Sequence, residues 1–458
     1  AHAREHFSPA NTDDVRFDHR HRGPTSETAA SPPMPHAVTT RIIRMNSPVD
    51  ALLAAAKDLH AEGVPDVVDG LLEAARDRGA SDLHIVPTET ALDLSWRIDG
   101  VLQHVGQLPR RVAGNVVARL KVLAELLTYR TDVPQEGRIR SGDSTLDMRV
   151  STFPTLFGEK TVVRLLRTSD RLTHVHELGL PQTLAEQLRE TLGRRSGLLL
   201  VAGPAGSGKT TTLYACLREL VGTGDQPLSV VSLEDPIESV VTGVAQSQVN
   251  PAAGFDYATG LRSLMRQDPE VIMVGEIRDR ETAETVLQAS LTGHLVLTTF
   301  HAGSGAEAIG RLADMGIEPY LIRSGLIAIL CQRLVRRLCS CSKPASQTAS
   351  QTADTTPQPS PNRRTATGCS HCHGTGYLGR SVIAEWLDPS EPAIAEGILQ
   401  QLDSRTLHQT ALSTGHADLA SAARDAIDAG WTTPEEVVRV LGLRCSEPPA
   451  GAVPGDAR

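Results

Sequence analysis

The chain of 458 residues is long enough for about three domains, and 40% hydrophobic content with only 3% aromatic residues suits aliphatic α/β cores of an intracellular protein. No run approaches the roughly 18 apolar residues of a membrane span, so any membrane role would be peripheral. A formal charge of −9 disfavours a broad electrostatic nucleic-acid surface.

Residues 1–45 carry Pro, His, Ser, Thr and scattered charge with little apolar periodicity, a composition that cannot offset its ordering entropy and reads as disordered. The first helical pattern, Pro48 to Lys57, follows Met45, which is expected to be the natural start. A second helix is expected from Val64, capped by Gly79, then a strand over Ser81 to Val86. Leu92 to Ile98 alternates apolar and polar residues, and Asp99-Gly100 supplies a hairpin turn into Val101 to Val105. Two further strand pairs, around Leu146 to Ser151 and Thr161 to Leu166, close an α+β domain over 46–170, before a linker near Thr168 to Glu177.

Gly203-Pro204-Ala205-Gly206-Ser207-Gly208-Lys209-Thr210 is a complete GxxxxGKT phosphate loop, with the apolar run Leu198 to Ala202 before it and an amphipathic pattern from Thr211 after it. The glycines let the backbone turn its N–H groups inward, toward phosphates at the positive end of a helix. Lys209 would pair with β/γ-phosphates of ATP and Thr210 would ligate Mg²⁺. Three more apolar runs deliver acids or histidines at their ends. Leu228 to Leu233 leads into Glu234-Asp235-Pro236, Val271 to Val274 into Gly275-Glu276-Ile277-Arg278, and a third strand is bracketed by His294 and His301. In an open α/β sheet, ligands bind beyond the carboxyl ends of strands, so these clusters can converge on the nucleotide. The second run ends in Gly275 where P-loop proteins usually carry a metal-supporting Asp. Glu276, one residue on, is then the candidate base, and Glu234 or Asp235 the source of the missing metal contact.

Toward the C-terminus, four of the seven cysteines cluster as Cys339-Ser-Cys341 and Cys369-Ser-His-Cys372, which reads as a metal site rather than a disulfide framework. The second pair is a CxxC; the first is a CxC, one residue short, which leaves Cys331, His371 or His373 as substitute ligands. Ser342 to Gly368 between the pairs is Ser, Gln, Thr and Pro-rich and reads as a flexible insert. Helices are expected over Ile394 to Leu402, Ala417 to Ala429 and Thr433 to Leu441, and a Pro/Gly tail over 444–458.

Phe157-Gly-Glu-Lys160, Leu264 to Glu270, Val274 to Ala283 and Leu291 to Ala302 resemble the secretion ATPases of type II secretion and type IV pilus assembly, as do Ala80 to Ile85, Trp96 to Leu102, Pro134 to Ile139 and Arg149 to Thr152. The resemblance runs from about Val64 to Gly442. It implies a RecA-like α/β P-loop ATPase domain over 171–330, an N-terminal α+β domain (PAS-like in the family), a cysteine/zinc module over 331–385 and C-terminal helices over 386–443. It makes Glu276 the catalytic base, gives Glu234 and Asp235 to Mg²⁺ or water, and makes His301, with His294, the γ-phosphate sensor. It brings Arg149 and Arg164 over the nucleotide, and it gives Cys339, Cys341, Cys369 and Cys372 a structural Zn²⁺. It further implies a homo-oligomeric, hexameric ring at the cytoplasmic face of the inner membrane, docked on a membrane platform protein, with no nucleic-acid partner. The alternatives are a pilus-retraction or DNA-uptake motor, and a nucleotide-gated adaptor without turnover.

Overall fold

The computed structural model describes residues 48–55, 60–140, 146–167, 174–222, 227–345 and 362–442. The disordered stretch expected at 1–45, Met45 and the 444–458 tail lie outside the described residues, as does most of the insert.

Helices α1 (Pro48–Ala55) and α2 (Val64–Asp77) precede the strands β1 (Asp82–Pro87), β2 (Ala91–Ile98) and β3 (Val101–Pro109), then α3 (Ala113–Leu123), β4 (Gln135–Arg140), β5 (Leu146–Thr155) and β6 (Gly158–Arg167). The six strands form one antiparallel sheet in the order β3-β2-β1-β6-β5-β4. The two apolar segments expected to join separate pairs instead pair with each other as the β5–β6 hairpin. Because side chains alternate along a strand, Leu83, Ile85, Leu94, Trp96, Val150 and Val163 share one face and pack with Leu71, Val116 and Leu120 of α2 and α3. Beneath the hairpin, the fully buried Lys121 of α3 pairs with Glu159 and donates to the Arg130 carbonyl at 2.7 Å.

The second sheet has seven strands. After α4 (Gln182–Leu192), the phosphate-loop strand β7 (Gly197–Ala202) leads into α5 (Lys209–Gly222). Then come β8 (Val230–Glu234), β9 (Ala245–Gln248), α6 (Tyr257–Leu264), β10 (Val271–Val274), α7 (Arg280–Leu291), β11 (Leu295–Phe300), α8 (Gly305–Asp314) and α9 (Pro319–Gly325). Strand β12 (Leu326–Leu338), the short β13 (Lys343–Pro344) and β14 (Arg364–Thr365), and β15 (Tyr377–Leu387) follow. The order is β15-β12-β7-β11-β10-β8-β9, parallel throughout except for the β12–β15 pair. Strand β7 is buried on both faces: Leu198 and Leu200 belong to one apolar core and Leu199 and Val201 to the other, as a parallel strand covered by helices requires.

The expected boundary at 330/331 falls inside β12, so the sheet of the phosphate loop runs on to Leu387 and the cysteine segment is an excursion at the tip of its last hairpin. The ends of the insert pair as β13 and β14. Helices α10 (Pro392–Leu399), α11 (Ser404–Ser413), α12 (Leu419–Asp428) and α13 (Pro434–Leu441) close the chain. The last is anchored by Glu436, whose buried carboxylate pairs with Arg336 of β12 and with Arg439. Burial alone would raise its pKa, but the two guanidinium groups win and hold it at about 2.

Candidate functional site

The parallel register aligns the carboxyl ends of four strands. Ala202 stands opposite Phe300, Thr298 opposite Val274, and Val274 opposite Leu233. Gly203, His301, Gly275 and Glu234 therefore emerge along one edge, where ligands bind such sheets. Strand β11 lies between the phosphate-loop strand and β10, which sets His301 between Lys209 and Glu276.

The loop itself depends on glycine. Gly203 has φ +150°, and a Cβ there would stand 2.4 Å from Ser207 Oγ and 2.7 Å from the Gln332 carbonyl oxygen. Gln332 is a functional residue that the linear motif does not reveal. It is buried in β12, donates to the Ser207 carbonyl at 2.9 Å and accepts from Thr212 Oγ1 at 3.0 Å, clamping both ends of the loop-to-helix turn. Lys209 curls over the loop and donates to the carbonyls of Gly203 at 2.9 Å and Pro204 at 3.0 Å. Burial lowers its pKa and Glu276 opposes that shift. Ser207 Oγ is buried with no hydrogen-bond partner among the described residues.

Glu276 accepts from Arg278, whose Nη1 also reaches Asp235 at 3.1 Å, and Glu276 Oε2 lies 3.4 Å from His301 Nε2. The imidazole is held below 6.5 by burial first and by Lys209 second, with Glu276 pulling the other way. Glu234 differs from its neighbour Asp235: it is buried, and Tyr214, Ser232 and Gln246 all donate to it. Asp235 is the more exposed acid of the pair and faces Arg278. His294 sits at the opposite, amino-terminal end of β11, where its ring bonds the Ala289 carbonyl at 2.9 Å. Six residues of strand, about 20 Å at strand rise, separate it from the phosphate loop, so the sensing role expected of His294 is corrected to a local structural one.

The first sheet contributes cations by the same alternation that builds its core. Arg138, Arg149, Arg164, Asp82 and Arg97 are successive cross-strand partners across β4, β5, β6, β1 and β2, and directly opposed residues share a face. This is the face away from α2 and α3. Asp82, buried within the row, accepts from Arg164 Nε at 3.0 Å and lies 3.6 Å from Arg97 Nε. A cleft of about 650 Å³ brings Asp82, Arg97 and Arg164 together with Pro204 to Ser207 of the loop and with Arg333, Arg380 and Arg439. A second, of about 550 Å³, brings Arg138, Arg149 and Arg164 to Asp235 and Gln248. Arg149 Nε is buried without a hydrogen-bond partner among the described residues. An arginine-lined cleft at a phosphate loop fits an oligophosphate. Arg97 and Arg333 escaped the sequence reading because only the register and the fold bring them to the loop. Arg333, itself buried, donates to the Gly303 carbonyl at 2.6 Å just beyond His301.

The four module cysteines meet. All four sulfurs lie within 4.8 Å of one another, with Cys339 to Cys369 at 3.9 Å, Cys341 to Cys372 at 3.8 Å and Cys369 to Cys372 at 3.7 Å. A tetrahedron with 2.3 Å Zn–S arms has edges of about 3.8 Å, so the CxC pair completes a Zn²⁺-sized cage. Burial raises the Cys372 pKa, but N–H donors of Cys369 and Gly376 prevail and bring it to about 6. Cys331 is no substitute ligand: it is buried in β12 against the Gly303 carbonyl, with its thiol pushed up to about 12 by burial and then by Glu385. His371 and His373 are not in the cluster.

A phosphate loop on a parallel sheet, an interposed strand ending in a histidine, and a facing cationic sheet define a RecA-like P-loop ATPase. The chain belongs to the family described as type II/IV secretion system protein, whose profile matches residues 57–439. It is 41% identical over 379 residues to the type II secretion system protein E of Pseudomonas aeruginosa, covering 82% of this chain and 74% of that one. Over 417 residues it is 38% identical to the type IV pilus assembly ATPase TfpB of Acinetobacter baylyi, covering 87% and 70%. Among solved structures, the ATPase DotB of Legionella pneumophila superposes with a TM-score of 0.59 at 21% identity, over 81% of this chain and 94% of that one, a likeness of fold.

Proposed function

We propose that this chain is the ATP-hydrolysing motor of a type II secretion or type IV pilus assembly machine, driving assembly of pilin or pseudopilin subunits. The observation that supports this reading most is the shared cleft, in which the phosphate loop faces arginines from a separate sheet. The loop N–H groups and Lys209 would hold the β/γ-phosphates, and Thr210 and Asp235 would hold Mg²⁺, with Glu234 behind them fixing the end of β8. Magnesium held there would supply charge neutralisation for the phosphates. Glu276 would orient the attacking water and accept its proton, and His301, beside both Glu276 and Lys209, would register the γ-phosphate. Arg149 and Arg164 would stabilise charge developing on the transferred group, and their place on the N-terminal sheet makes its closure depend on nucleotide state.

Zn²⁺ in the four-cysteine cage leaves no open coordination position, so its role would be structural. The β15 strand beyond the cage touches the N-terminal sheet directly, where Asp99 accepts from the Gly379 N–H at 2.9 Å. Closing heterologous contacts between copies would make a hexameric ring, docked on an inner-membrane platform protein at the cytoplasmic face. No described helix is long and apolar enough to cross a membrane, which suits a peripheral motor. In a strain lacking its own copy, the wild-type chain should restore export or piliation and Lys209→Ala should not. Equal restoration by both would overturn the motor reading.

A further inference from the structure

The structure supplies a reason why β10 ends in glycine. A Cβ on Gly275 would lie 2.8 Å from the Tyr257 hydroxyl oxygen, closer than such atoms pack. Tyr257 is the first residue of α6, held there by its N-cap Asp256, whose carboxylate accepts from the Thr259 N–H at 2.8 Å. Its ring is buried in the sheet's core alongside Leu233, Ile272 and Val274. The phenol oxygen thus stands where a metal-supporting aspartate at 275 would begin. It also lies in the field of the acids that matter here. Burial, and next the charge of Asp235, raise the phenol pKa, with Glu276 and Glu234 adding to the shift and Arg278 opposing it.

We propose that Tyr257 is the positioning residue that replaces the missing aspartate, its hydroxyl linking a water on nucleotide-bound Mg²⁺ to the carboxylate of Asp235. A carboxylate only accepts hydrogen bonds, whereas a hydroxyl both accepts and donates. Tyr257 can therefore accept from the metal's water and donate to an acid at the same time. Through Arg278, which bonds both Asp235 and Glu276, that link fixes Glu276 relative to the metal, a task the usual arrangement gives to the preceding residue. The proposal rests on the reading of this cleft as a Mg-ATP site.

The test is Tyr257→Phe, which keeps the ring and removes the hydroxyl, with thermal unfolding as a check on folding. Two quantities are read: the free Mg²⁺ concentration needed for half-maximal binding of a fluorescent ATP analogue, and kcat against KM. Metal-free nucleotide affinity should be unchanged. The Mg²⁺ requirement should rise about tenfold and kcat should fall by about tenfold or more, the effect of one hydrogen bond in a dry site. The double variant Tyr257→Phe/Gly275→Asp supplies the rescue. With the hydroxyl gone, the nearest atoms to a Cβ at 275 are the Leu233 carbonyl oxygen at 3.5 Å and Glu234 Cα at 3.6 Å, so the Cβ of an aspartate has room. Recovery of the Mg²⁺ dependence in the double variant is the expected result. A Tyr257→Phe protein with wild-type Mg²⁺ dependence and kcat, or a defect that Gly275→Asp leaves untouched, would overturn the proposal. A folded wild-type chain that binds no Mg-ATP would instead overturn the reading beneath it.

Discussion

At the scale of single residues, the site works through charges that perturb one another. Burial and then Lys209 lower the pKa of His301 against the pull of Glu276, which favours the neutral ring. A lowered pKa means that the neutral ring persists until the pH falls through the folded value. The native state therefore binds fewer protons than the unfolded chain below 6.5, and this group's contribution to stability falls as the medium is acidified. Turnover should accordingly show an acid limb below pH 6.5. Lys209→Met removes the second cause, so the His301 ring should titrate closer to 6.5, measured by NMR on both proteins. An unmoved or lower titration in the variant would contradict this account. The phosphate loop, Glu276 and His301 were all legible in the sequence, because each stands at the end of an apolar run. Tyr257 was not: it precedes Gly275 by 18 positions, and only the packing of α6 on β10 brings its hydroxyl there.

At the scale of elements, the β12–β15 hairpin joins three tasks. Its buried middle completes the sheet, Gln332 clamps the phosphate loop, and its tip gathers four cysteine sulfurs. The cysteines were legible from composition and spacing, but the hairpin was not, because the insert separates β12 and β15 by a stretch with no apolar period. The α3 helix was missed for a milder reason: its pattern of Val116, Val117 and Leu120 is short. The cage predicts about one zinc per chain by elemental analysis. Cys369→Ser should lose that zinc and lower the thermal midpoint, since zinc held by the four sulfurs would tie Cys339 and Cys341 to the turn before β15. A zinc-free Cys369→Ser protein whose midpoint matches that of the zinc-loaded wild type would contradict a structural metal.

At the scale of the molecule, two sheets built by different rules meet over one loop. The parallel sheet is apolar on both faces and offers only its carboxyl edge; the antiparallel sheet is apolar on one face and presents arginines on the other. Arg149 and Arg164 were expected over the nucleotide on resemblance alone. That they stand in one row with Arg138 and Arg97, spaced by Asp82, depends on register across five strands, which a linear sequence does not display. The cysteine hairpin touches the same N-terminal sheet through Asp99, so phosphate loop, arginines and cysteine module share one mechanical frame. The central claim is that this frame turns over ATP with Glu276 as its base. The direct measurement is Mg-ATP hydrolysis by the size-fractionated oligomer, wild type beside Glu276→Gln, with nucleotide binding measured on the same samples. Turnover reduced by about a hundredfold or more with binding intact is the predicted result. Equal turnover in the two proteins, or a nucleotide-bound wild-type oligomer with none, would contradict it.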